Sequence, residues 1–167
     1  MGTPKIVVMG VSGSGKSTLG QLLAQALSVP YVEGDALHPQ RNVERMAAGT
    51  PLTDEDRQGW LQAVAAQLAT PQAQTRGVVV TCSALKRSYR DMLRLGAADV
   101  QFIVLHGDHG LLAQRMSARQ GHYMPASLLQ SQLDTLEMPG NDERATTLDI
   151  RHPSDVLLKQ ALLALHA

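Results

Sequence analysis

The sequence predicts one three-layer α/β/α domain spanning residues 1–167: a five-stranded parallel sheet with helices on both faces. Three observations predict it. Short apolar runs alternate with helical stretches along the chain, as in repeated strand–helix–strand units. The first, third and fourth runs are apolar without interruption, as strands buried on both sides must be. A glycine-rich segment joins the first run directly to the first helix, where an open parallel sheet places its ligand.

The elements follow in order. "KIVVMG" (Lys5–Gly10) is a β-branched run closed by glycine, a buried strand. Beyond the glycine segment, Leu19, Leu22, Leu23, Ala26 and Leu27 recur at helical spacing and make one apolar face. "VPYVEGD" (Val29–Asp35) is a second short strand ending in carboxylates. From Leu37 to Thr70 the pattern is helical. Within it Thr53 is an N-cap, followed by the acidic first turn of "TDED", and Leu61, Val64, Ala65 and Leu68 form the buried stripe. "GVVVTC" (Gly77–Cys82) and "VQFIVLHG" (Val100–Gly107) are the third and fourth strands, and "RATTLDI" (Arg144–Ile150) a weaker fifth. A helix over about 154–166 closes the domain. "RQGHYMP" (Arg119–Pro125), polar with a glycine and a proline between helical segments, is the expected mobile loop.

Composition narrows the function. Hydrophobic residues are 44% and charged residues 18%, with Lys+Arg and Asp+Glu at 15 each. Zero net charge gives no global attraction to nucleic acid or an anionic membrane, so any anion site is local. One cysteine, Cys82, excludes an intrachain disulfide and a zinc cluster, and it reads as a buried small residue. No apolar run is long enough to span a membrane, and "MGTPKIVVMG" shows no secretory leader, so a cytoplasmic location is expected.

Gly10-Val11-Ser12-Gly13-Ser14-Gly15-Lys16-Ser17 matches the full phosphate-loop pattern G-x-x-x-x-G-K-[ST] between a strand and a helix. Its glycines let backbone N–H groups turn toward phosphate oxygens, and the helix N-terminus adds partial positive charge. Lys16 is expected at the β- and γ-phosphates of a nucleotide, Ser17 at Mg²⁺, and Thr18 near the α-phosphate. No N-K-x-D follows a late strand, which excludes a switch GTPase. The third strand ends without an acid, unlike motor and transporter ATPases. The carboxylates must therefore come from Glu33 and Asp35, expected to point the same way on an extended segment. One would orient Mg²⁺ waters; the other would take a proton from an attacking hydroxyl.

Arg115 and Arg119, four apart, are expected to fold over the triphosphate, with Arg119 neutralising the transferring group. Arg41, Arg45, Lys86 and Arg90 are basic groups available to an acidic acceptor. His38 and His122 sit in the two suspected substrate segments. His106 and His109 lack a third ligand, and Trp60 is read as core packing. These residues leave open the acceptor, whether a sugar acid, another hydroxylated acid or a nucleoside. They also leave open a nucleotide sensor with little turnover, although paired carboxylates and basic acceptor-side groups favour transfer.

The chain resembles the gluconokinases, P-loop small-molecule kinases, over "MGVSGSGKST", "GDALHPQRNVERMAAGTPLTDEDRQGWL", "CSALKRSYRDMLR", "FIVLHGD" and "RQGHYMPASLLQSQLDTLEMPGNDE". The resemblance implies transfer of the ATP γ-phosphoryl to the 6-hydroxyl of D-gluconate, giving 6-phospho-D-gluconate and ADP. It implies a shikimate-kinase-like or adenylate-kinase-like sheet of order 2-3-1-4-5. It also implies an acceptor-binding helical region over about 36–72, a lid over about 119–140, and a homodimer. Asp35, within "GD-x-LHP", becomes the acceptor-facing carboxylate. Glu33 stands where the family often has Asp.

Overall fold

The computed structural model describes residues 3–118 and 128–166. Five strands, β1 (Lys5–Met9), β2 (Tyr31–Glu33), β3 (Val78–Thr81), β4 (Gln101–His106) and β5 (Ala145–Asp149), pair in the order β2-β3-β1-β4-β5. Every pairing is parallel; Val7 registers with Val80 on one side and Phe102 on the other. β1 is buried along its whole length and so is β3, which is why both read as unbroken apolar runs. β5 lies at an edge and only Leu148 of it is buried, which accounts for its weaker pattern.

Eight helices follow the alternation among the described residues: α1 (Lys16–Leu27), α2 (Gln40–Ala47), α3 (Asp54–Leu68), α4 (Pro71–Thr75), α5 (Arg87–Gly96), α6 (His109–Ala118), α7 (Leu128–Thr135) and α8 (Ser154–Leu165). The helical stretch expected from 37 to 70 is broken. A 3-10 turn spans Gly34–Leu37, and the chain leaves helix again between α2 and α3. The reason lies in local chemistry. Pro39 is extended and precedes α2, Gly49 takes a left-handed φ of 81°, and Thr53 restarts the helix.

That restart is a complete capping box. Thr53 Oγ1 accepts from the Asp56 backbone N–H at 3.1 Å, and the Asp56 carboxylate accepts from the Thr53 N–H at 2.9 Å. Thr53→Ala should therefore cost about 1 kcal/mol of stability. Urea unfolding would read this as a lower midpoint at unchanged slope.

One core runs through the sheet and both helical layers, including Leu19 and Leu23 of α1, Trp60, Leu61, Val64 and Leu68 of α3, and Leu157 and Ala161 of α8. A second small cluster joins Met46, Leu52 and Leu128, so the start of α7 packs on the α2–α3 connection. Of the lid expected over about 119–140, the described part is α7 and the chain after it; Arg119, His122 and the rest of 119–127 lie outside the described residues.

Candidate active site

The phosphate loop joins β1 to α1 at the carboxyl edge of the sheet. Gly15 occupies the N-cap of α1 with φ 94°, a left-handed conformation that an L side chain would strain. The first turn of α1 carries no acid, which leaves the positive end of its dipole for an anion. Lys16 Nζ donates back to the Gly10 and Val11 carbonyls at 3.0 and 3.1 Å. A cleft of about 360 Å³ lies against the loop, lined by Ser12, Gly13, Gly15, Lys16, Ser17, Thr18, Asp35 and Arg115. Gly10, Val11 and Ser14 are buried beneath it. Arg115 is held by a bond from its Nη2 to the Ile150 carbonyl at 2.8 Å.

The two carboxylates stand on different elements, not on the one extended segment expected from the sequence. β2 ends at Glu33, and Asp35 lies in the 3-10 turn, so strand alternation does not govern the pair. Glu33 accepts from Ser17 Oγ at 2.7 Å, Tyr31 Oη at 2.5 Å and Thr81 Oγ1 at 2.8 Å. Burial would raise its pKa, but these three bonds and the Lys16 charge bring it below the usual glutamate range. Tyr31, half-buried and donating to Glu33, is pushed up to about 12 and stays protonated. Hard oxygen ligands around Ser17 and Glu33 beside the phosphate cleft fit Mg²⁺, which keeps most of its shell as water and phosphate. Among the described residues no group of three or more His, Cys, Asp or Glu makes a metal cluster.

Asp35, which lines the phosphate cleft, also borders a second pocket that shares Ser12 and Lys16 with the first. Its further walls are His38, Met46, Leu52, Arg57, Trp60, Ser83, Leu85 and Gln132. Trp60 is core packing, as expected, and also a wall: it is 1% exposed, its Nε1 donates to the Gly34 carbonyl at 2.8 Å, and His38 stacks on it at 4.0 Å. Gln132 of α7 reaches the phosphate loop, its Oε1 accepting from Ser12 N–H at 2.7 Å.

The basic residues sort differently from the sequence reading. Arg90 is corrected outright. It is 0% exposed, its Nε donates to Glu143 at 2.7 Å, and its Nη1 donates to the Ala84 and Leu85 carbonyls. It is a structural ion pair, with no face left for an acceptor. Lys86 is committed to Asp54 at 3.1 Å, and Arg45 to Asp56 at 3.4 Å. Neither they nor the exposed Arg41 line the second pocket. The arginine that does is Arg57, three residues before Trp60 and thus on the same helical face. Its Nη1 donates to Tyr89 Oη at 2.6 Å, Tyr89 donates to Asp54, and Lys86 closes the chain. A charged residue at i−3 from a buried tryptophan was the signal available in the sequence. Cys82 is fully buried, and burial pushes its thiol up to about 12, so it is no nucleophile.

Another cavity, of about 480 Å³, lies at the opposite end of β4 and β5. Its carboxylates are already paired, Asp99 with Lys5 and Glu143 with Arg90, and the phosphate loop is remote from it.

A phosphate loop opening onto an adjoining pocket, with one aspartate shared by both, defines the chain as a P-loop small-molecule kinase. A family model described as "AAA domain" matches residues 6–139. The gluconokinase of Gluconobacter oxydans (strain 621H) is 48% identical over 157 residues, covering 94% of this chain and 88% of that one. The crystal structure of a gluconokinase from Sinorhizobium meliloti 1021 superposes with a TM-score of 0.88 at 50% identity, covering 98% of this chain and 91% of that one. That of a sugar kinase from Janibacter sp. HTCC2649 gives 0.93 at 46% identity, over 98% and 95%. The chain belongs to the gluconokinase family.

Proposed function

We propose that this protein transfers the γ-phosphoryl group of ATP to the 6-hydroxyl of D-gluconate, releasing 6-phospho-D-gluconate and ADP, a step of gluconate catabolism. The observation that carries the reading is Asp35, shared by the phosphate cleft and the adjoining pocket. A hydroxyl in the second pocket would meet the γ-phosphate across that carboxylate. Asp35 accepts the hydroxyl proton as the oxygen–phosphorus bond forms and the bond to the ADP oxygen breaks. Loop amides hold the phosphates, Lys16 swings from the loop carbonyls to the β- and γ-phosphates, and Arg115 adds charge from α6. Arg119 is proposed for the transferring group and His122 for the acceptor. Ser17 would hold Mg²⁺ and Glu33 would hold its waters; the ion, when bound, draws charge from the phosphate oxygens.

Arg57 is proposed to hold the gluconate carboxylate, since a guanidinium has five donors and Tyr89 takes one. The pocket is narrow, about 20 Å³, so gluconate enters only as the walls part. The 36–72 region and α7, which meet at Met46, Leu52 and Leu128, are the walls proposed to move, with the lid over about 119–140. The family resemblance supports a homodimer, and a cytoplasmic location is proposed with it. Among the described residues no helix is long and apolar enough to cross a membrane.

ADP release from ATP and Mg²⁺ is the direct test. Gluconate should stimulate it, and shikimate or nucleosides should not; no stimulation by gluconate would sink the proposal. Arg57→Ala should raise the gluconate KM about 10–100-fold, with a smaller change in kcat. Arg41→Ala and Arg45→Ala should move that KM less than about threefold, because exposed charges interact weakly. The reverse ordering in steady-state kinetics would return the carboxylate to α2.

A further inference from the structure

Asn42 is 0% exposed, an expensive place for an amide. Its Nδ2 donates to the Asp56 carbonyl at 2.8 Å. A carbonyl only accepts, so the NH₂ end must lie there; a flipped amide would set oxygen against oxygen. The same Nδ2 lies 3.2 Å from His38 Nδ1. Its second N–H therefore points to a ring nitrogen that must carry a lone pair. The Asn42 Oδ1 meanwhile has no hydrogen-bond partner among the described residues. A buried amide with an orphan oxygen is poor stabilisation, which favours a role in orienting its neighbour.

The neighbour is fixed in its other directions too. The His38 ring lies over Trp60 at 4.0 Å and 15°, and Trp60 is itself tied to Gly34. From these contacts we infer that Asn42 is a positioning residue. It holds His38 in the tautomer with its proton on Nε2, so that the acceptor pocket presents a neutral N–H donor to a hydroxyl oxygen of the sugar acid.

The charges around the ring agree. Burial pushes the His38 pKa down to about 4, the Asp35 carboxylate pulls it up and Arg57 pushes it down. Protonation of Nδ1 would also set an N–H against the Asn42 NH₂. The neutral ring matters for chemistry. An imidazolium here would pair with Asp35 and weaken the carboxylate that must accept the acceptor's proton. A neutral donor binds a hydroxyl and leaves Asp35 available. Carboxylate recognition then stays with Arg57, and hydroxyl recognition with His38.

The inference rests on the gluconate kinase reading, and its test separates the two. Long-range ¹H–¹⁵N NMR of the ¹⁵N-histidine-labelled wild-type chain should show His38 neutral at pH 7, with Nδ1 unprotonated. Asn42→Asp, which can only accept, should move the proton to Nδ1 and lower kcat/KM for gluconate about 10–100-fold. His38→Phe keeps the stack, removes the donor and should cost about as much; His38→Gln, which restores a neutral N–H, should recover part of it. The KM for ATP should stay within about threefold throughout, since the change concerns one acceptor contact. A wild-type His38 protonated on Nδ1 would overturn the inference even if Asn42→Asp failed to fold. So would His38→Phe with wild-type kcat/KM for gluconate. Absence of gluconate-stimulated ADP release in the wild type would instead overturn the assigned reaction, while the tautomer measurement would still decide the role of Asn42.

Discussion

Asp35→Asn should lower kcat for gluconate phosphorylation by about 10²–10⁴-fold. The substitution is nearly isosteric, and the turn that holds the residue is closed through the backbone, by the His38 N–H donating to the Asp35 carbonyl at 3.3 Å. The amide should therefore sit where the carboxylate sat. It can still accept a hydrogen bond from the acceptor hydroxyl, but it cannot take the proton at neutral pH. Loss should fall on kcat, with the KM for gluconate changed less and ADP binding little changed, because the loop amides and Lys16 that hold the nucleotide remain. Steady-state kinetics in both substrates and calorimetric ADP titration would check this. Normal turnover by the asparagine variant would remove Asp35 as the base and leave the shared position unexplained.

Glu143→Ala should destabilise the fold by about 3–5 kcal/mol, the cost of leaving a buried guanidinium without its counter-ion. Arg90 is 0% exposed and the Glu143 side chain 1%, and their ion pair measures 2.7 Å. Arg94 also donates to this carboxylate, as does the Gly140 N–H at 3.0 Å. Nearby, Glu137 accepts from the Arg87 N–H at the start of α5, and its own N–H donates to the Leu85 carbonyl. The chain leaving α7 is thereby fastened to the loop after β3, which also contributes Ser83 and Leu85 to the second pocket.

For a domain of this size the loss corresponds to a Tm lower by roughly 6–20 °C. Calorimetry would measure it, and the double variant Arg90→Met/Glu143→Leu should recover much of it, since no charge is then stranded. A pH dependence accompanies the pair. Burial would raise the Glu143 pKa, but hydrogen bonds from Arg90, Arg94 and Gly140 and the Arg90 charge lower it from 4.5 to about 2. The native state therefore holds fewer protons than the unfolded chain between those values. The contribution is complete above about 4.5 and is lost as pH falls through about 2. Glu143→Ala should flatten the acid limb of the stability curve; an unchanged limb and Tm would show that the pair is dispensable.

Much of this was legible beforehand. Parallel topology followed from the unbroken apolar runs of β1, β3 and β4, and the phosphate loop from its spacing and its place between strand and helix. Thr53 was readable as a cap because a cap is a local device. Arg90 was not readable as a core residue. Its partner lies 53 positions away, and an arginine in a basic stretch looks like solvated surface until Glu143 is placed against it. Arg57 was overlooked for the complementary reason: it sits among acidic residues that suggested nothing more than a helix start.

The sequence by itself determined the class of fold and the nucleotide cradle, because these rest on short spacings and on periodicity; the acceptor came only from the family resemblance. Tertiary structure alone decided which charges are spent on one another and which face a pocket. Hydrogen-bond partners across the sheet are chosen by distance in space, and Coulomb energy and desolvation depend on that distance and not on separation along the chain. Glu33, bonded to Ser17, and Asp35, which borders both the phosphate cleft and the second pocket, are the plainest instance. Two carboxylates two positions apart are given different surroundings by one turn of 3-10 backbone.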